Sequence, residues 1–148
     1  MLSRQYLLTL IIISFLFSCS KVPISNRKQI HLLNEQDLIQ MADLQYNDFM
    51  STADVLPIND YQTLRIKKIG ENIQHAAEKF LKKNGHAHRI EGFAWEFKTV
   101  KSEVLNAWCM PGGKVCFYTG LIELADNDDQ IAAVMGHEVA HAIAKHGN

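Results

Sequence analysis

No excess of either charge, no basic cluster and no internal repeat marks this 148-residue sequence. Its 15 Lys and Arg against 16 Asp and Glu leave a net charge of −1, which gives no support for a nucleic-acid partner. No low-complexity tract interrupts it. With 47% hydrophobic and 21% charged residues it reads as one small globular domain. It also lacks an apolar run long enough to span a bilayer, since the run from Tyr6 to Phe17 is broken at Thr9 and Ser14 and is too short. Cysteine is scarce too: only Cys19, Cys109 and Cys116.

The first residues still form a segment of their own. Arg4 precedes the apolar run, a pattern that suits a secretory signal. The run ends in Leu16-Phe17-Ser18-Cys19, which resembles the lipobox of bacterial lipoproteins. That resemblance implies cleavage after Ser18 and a lipid on Cys19. Residues 1–18 are then a signal peptide, and residues 19–33 a lipid-anchored tether and domain entrance. Ser20, rather than an aspartate, implies passage to the outer membrane on the periplasm-facing side of a bacterial envelope. An ordinary secretory signal with an incidental cysteine is the alternative.

Residues 34–148 carry the fold. Asn34 with Asp37 starts a helix in which Leu38, Ile39, Ala42, Tyr46 and Phe49 recur at helical spacing to about Met50. A longer helix runs from about Asp60 to Lys83, with Ile66, Ile69, Ile73, Ala76, Ala77 and Phe80 as its stripe and Asn84-Gly85 as its stop. Lys67, Lys68, Lys82 and Lys83 read as its solvated face. His75, His86 and His88 have no ligand spacing and read as surface or loop residues. Phe93, Trp95, Phe97 and Thr99 alternate with Ala94, Glu96, Lys98 and Val100 as a half-buried strand. Val104 to Met110 and Lys114 to Thr119 complete an expected three-stranded antiparallel sheet. Gly112-Gly113 reads as a two-residue hairpin turn, which sets Cys109 opposite Cys116. A cross-strand disulfide and a pair of packed free thiols both fit that placement.

The chemistry concentrates in His137-Glu138-Val139-Ala140-His141. Helical positions i and i+4 share a face, so the two imidazoles can reach one metal ion while Glu138 stands beside it. There Glu138 can take a proton from a metal-bound water. Two histidines and a neighbouring glutamate at this spacing are the signature of zinc peptidases. From Asp128 to His146 the surrounding residues are almost all apolar or small, which predicts a buried helix. Asn127 and Gln130 supply its N-cap and capping-box partner. Metal ligation would satisfy histidines buried in such a helix.

Asn106-Ala107-Trp108-Cys109-Met110-Pro111-Gly112-Gly113, Val115 to Ile122, and Gly136-His137-Glu138-Val139-Ala140-His141-Ala142 together resemble the HtpX/Oma-type family of zinc metalloendopeptidases, which includes the CAAX prenyl protease. Val22 to Gln29 is similar to the entry segment of its lipid-anchored bacterial members. The resemblance implies an α+β, zincin-like fold of the gluzincin type, with helices around the small sheet. It implies Zn(2+) on His137 and His141, Glu138 as general base, and protein or peptide substrates laid along the strand from Asn106 to Pro111. Asn106, Pro111 and Gly112 then shape the cleft. The family's third ligand, a glutamate on a later helix, has no counterpart before Asn148, and His146 points away from the other two around the helix. The sequence is therefore expected to be a fragment of a longer frame or a truncated product. A non-catalytic envelope lipoprotein that binds misfolded proteins is the alternative. Oligomeric state and partner proteins are not legible.

Overall fold

Periodicity and capping residues place the helices, while a crossing loop and two glycines decide how the sheet is built. The computed structural model describes residues 19–21, 28–30 and 34–145. Strands β1 (Cys19–Lys21) and β2 (Lys28–Ile30) pair antiparallel, Cys19 opposite Ile30, in a small unit of their own. The expected signal peptide and His146 lie outside the described residues.

The larger unit opens with helix α1 (Glu35–Thr52), whose buried residues are Ala42 and Tyr46. Helix α2 (Tyr61–Lys83) begins at Asp60, whose side chain accepts from the amides of Gln62 and Thr63. Such a cap is worth ~1 kcal/mol. Its buried stripe is Thr63, Ile66, Ile69, Gly70 and Leu81. Phe80, expected inside, is 45% exposed because Leu81 takes the inward position at the last turn. Among the described residues no helix is long and apolar enough to cross a membrane.

Three strands follow: β3 (Glu96–Val100), β4 (Ala107–Met110) and β5 (Lys114–Tyr118). Their order is β3-β5-β4, with β3 parallel and β4 antiparallel to β5, so the sheet is mixed and the expected all-antiparallel sheet is corrected. The reason lies in residues 101–106. They contain no tight-turn pair, and instead of folding β4 back on β3 they cross the end of β5. There Ser102 O accepts from Thr119 Oγ1 (2.9 Å) and from the Gly120 amide (2.8 Å), while Tyr118 N donates to Asn106 O. The most deeply buried strand is thus the central one. Val115, Cys116 and Phe117 are fully buried.

The hairpin register also differs by one residue. Gly112 and Gly113 both adopt positive φ (88° and 82°), and Gly113 N donates to Met110 O. Residues 111–113 therefore form the loop, and Met110 faces Lys114, Cys109 faces Val115 and Trp108 faces Cys116. A one-residue slip moves side chains to the opposite face. Cys109 and Cys116 accordingly point to opposite sides of the sheet and are free thiols, which removes the disulfide option. Burial pushes the Cys116 thiol up to about 12.

The two faces of the sheet have different neighbours. Trp108 and Tyr118 meet α1 edge-to-face through Phe49, at ring separations of 5.4 and 6.4 Å. Lys114, on the same face, lies 5.6 Å from the Tyr46 ring and donates to Ala94 O and Glu96. On the opposite face, Ala107, Val115 and Phe117 form one core with Ile66 and Ile69 of α2. Ile122 of helix α3 (Thr119–Leu124) joins it, as do Ile131, Met135 and Val139 of helix α4 (Asp128–Ala144). The fold is a mixed helix-and-sheet domain with the sheet between α1 and the α2–α4 layer.

Candidate metal centre

Helix α4 is fixed at its start. Asn127 caps it, accepting from the Gln130 amide at 3.0 Å, and Gln130 Oε1 accepts in return from Asp126 N at 3.0 Å. The reciprocal bond reaches one residue further back than a standard capping box. Arg65 of α2 pairs with Asp128 in the first turn at 2.6 Å, tying the helix start to its neighbour.

Only one stripe of α4 is inside. Ile131, Met135, Val139 and Ala142 are buried, whereas Ala133, His137, Ala140 and His141 are exposed. The expectation of a helix buried all round is therefore corrected. Alanine and glycine at 132, 133, 136, 140 and 144 make the helix look apolar without giving it enough apolar bulk to require cover. The histidines consequently incur no burial cost, and their case for a metal rests on geometry.

That geometry is close. His137 Nε2 and His141 Nε2 lie 2.9 Å apart, with the rings 4.4 Å between centroids and at 89°. Zinc–imidazole bonds are ~2.0–2.1 Å, so a separation of 2.9 Å lies within the bite of one ion. Two aromatic nitrogens of borderline softness suit zinc. A catalytic site needs a third protein donor, and among the described residues no group of three His, Cys, Asp or Glu forms one. The donor set fits zinc as two of three ligands.

Glu138 lies half-buried between the two exposed histidines and the sheet. Cys109 of β4 is within its field: burial first, and then the Glu138 carboxylate, push the thiol up to about 12. In the sequence Cys109 reads as half of a disulfide or of a packed thiol pair, and its neighbour Glu138 is not legible, because the register that aims it at α4 depends on the three-residue loop. Asn106 is exposed at the entrance to β4. Pro111 and Gly112 are at the hairpin tip, where a Cβ on Gly112 would sit 3.2 Å from Ile39 of α1. The histidines are thus brought together and β4 is set beside Glu138, while Gly112 packs towards α1. His75 and His88 are exposed and His86 is half-buried, 6.2 Å ring to ring from His88.

The outer edge of β4 has a defined pattern. In an antiparallel ladder, hydrogen-bonded and non-bonded pairs alternate. The bond from Tyr118 N to Asn106 O fixes the phase, so Trp108 and Met110 bond towards β5. Ala107 and Cys109 then aim their amides and carbonyls outward. Among the described residues no backbone bond reaches that edge, whereas β3's edge is met by the Val55–Val100 bridge and by Leu56 N to Thr99 O.

A helix bearing two convergent imidazoles and an intervening carboxylate, beside an open strand edge, is the arrangement of an HExxH metallopeptidase domain. Residues 65–148 match the profile of peptidase family M48, and the chain belongs to that family. It is 28% identical, over 97% of its own length and 43% of the relative's, to the mitochondrial metalloendopeptidase OMA1 of Saccharomyces cerevisiae. The Arabidopsis thaliana protein of that name is 39% identical over half of this chain and 15% of its own length. The beta-barrel assembly-enhancing protease of Escherichia coli is 31% identical over 41% of this chain and 12% of its own length. The chain spans less than half the length of each of these relatives.

Proposed function

We propose that this chain carries the metal-binding helix and substrate edge of a zinc metalloendopeptidase. In this reading it belongs to the lipid-anchored bacterial branch of the HtpX/Oma-type proteins. The observation that carries the reading is the 2.9 Å approach of the His137 and His141 nitrogens, with Glu138 facing β4. His137 and His141 hold the ion, and the third protein donor lies outside the described residues. Bound there, zinc supplies Lewis acidity and makes water a nucleophile near neutral pH.

The protein's own groups do the rest. The Ala107 and Cys109 amides and carbonyls hold an extended substrate as an added strand, with the scissile peptide above Glu138. One Glu138 oxygen takes the proton from the attacking water and delivers it to the leaving amine nitrogen. Asn106 shapes the cleft at the strand entrance. Pro111 and Gly112 act through the hairpin, which sets the position of β4.

Cys19 is the lipid-anchored residue, holding the domain at the periplasmic face of the outer membrane. The substrates are envelope proteins or peptides, and the role is protein quality control. The relatives' names, metalloendopeptidases and a beta-barrel assembly-enhancing protease, agree with proteolysis as the activity. Chelation is expected to abolish cleavage of an unfolded protein substrate such as casein, and added zinc to restore it. Cleavage that survives complete metal removal would overturn the proposal.

A further inference from the structure

The C-terminal end of α4 is held by a buried charge. Arg89, in the 3₁₀ turn Ala87–Ile90, is only 5% exposed. Its Nη1 donates to Ile143 O at 3.4 Å, two residues beyond His141. The last carbonyls of a helix have no partner within the helix, and a cation there also complements the negative end of the dipole. Burial works against the guanidinium's charge, and Glu35 at the start of α1 favours it.

The same end is closed by a second device. Lys145 adopts the left-handed region (φ 59°), a conformation that costs a non-glycine residue roughly 1–2 kcal/mol. Its amide donates to the carbonyls of Ala142 and of His141 itself, and its Nζ reaches Glu35 at 3.0 Å. Glu35 thus ties the lysine to α1 and lends its field to the arginine. The backbone of His141 is part of this cap. Rotating or fraying the final turn therefore breaks contacts to Arg89, Lys145 and Glu35 together.

We propose that Arg89 is a positioning residue for the metal centre: by gripping the last turn of α4 it fixes the orientation of His141 against His137. The inference rests on the zinc reading of that pair. A functional constellation must be held to within about 0.5 Å and 10–20°, and a helix end is where such tolerance is most easily lost. At the other end Arg65 and Asp128 provide the matching restraint. Arg89 touches neither substrate nor ion, so its effect passes through the helix.

The test uses Arg89→Met, which keeps much of the buried volume, and Arg89→Lys, which keeps the charge. The ring nitrogen resonances of His141 are read in the metal-free protein, with exposed His75 as internal reference. Zinc affinity is read by competition with a chelator. Arg89→Met is expected to shift the His141 signals, leave those of His75 in place, and weaken zinc about 10–100-fold, as loss of a supporting contact typically does. Arg89→Lys restores part of both. A folded Arg89→Met protein with unchanged His141 signals and zinc affinity would overturn the proposal. Should that variant not fold, Arg89→Lys decides, because lysine lacks the planar fork: unchanged His141 signals there also overturn it. Zinc affinity insensitive to His137→Ala would instead overturn the metal reading. The metal-free resonances still report on Arg89 in that case.

Discussion

Glu138→Gln is expected to lower turnover of a peptide substrate by about 10²–10⁴-fold while leaving zinc in place. The substitution keeps the shape of the side chain and removes its ability to accept a proton. Glu138 follows His137 by one position, so it is turned about 100° away from that ligand around the helix and stands beside the ion rather than on it. It also faces β4, where its carboxylate is felt by Cys109. The loss should therefore fall on kcat, with metal content and KM little changed. Turnover equal to that of the unaltered protein would mean that another group moves the proton.

Gly120→Ala is expected to destabilise the domain by about 1–3 kcal/mol, at the upper end of that overpacking range. A Cβ at 120 would lie 2.5 Å from Glu103 O and 2.7 Å from Glu103 C. Both are backbone atoms of the loop that crosses β5, and that loop is pinned by Ser102 to Thr119 and Gly120. Backbone cannot swing aside as a side-chain tip can. The crossing would have to lift, which loosens the path that makes the sheet mixed and delivers β4 to α4. Gly136→Ala is the control, because among the described residues no heavy atom beyond its chain neighbours and its own helix backbone lies within 4 Å of a Cβ there. Denaturant midpoints separate the two, and a Gly120→Ala midpoint equal to the control's would contradict this account of the sheet.

What was legible in the sequence was local. Asn127 caps its helix as expected, and α2 starts beside Asp60 and ends at Asn84 as the sequence predicts. The i,i+4 histidines meet because helical geometry alone brings them together. What was not legible depended on distant contacts or on backbone conformation. Consecutive strands suggested hairpins, but the link between β3 and β4 crosses β5 through bonds to Thr119 and Gly120, residues far along the chain. Gly112-Gly113 suggested a two-residue turn, yet the loop takes in Pro111 and puts the two cysteines on opposite faces of the sheet. Small residues mimicked a fully buried helix where a single stripe is inside. Arg89 gave no signal at all, since its partner Ile143 is 54 positions away.

The central claim is that His137 and His141 hold one zinc ion between them. The most direct measurement is zinc affinity, by competition with a chromogenic chelator, for the protein and for its His137→Ala and His141→Ala forms. Two ligands of one ion predict that either substitution weakens zinc at least about tenfold, and to a similar extent. An affinity that neither substitution changes would show that any bound zinc sits elsewhere and would contradict the account.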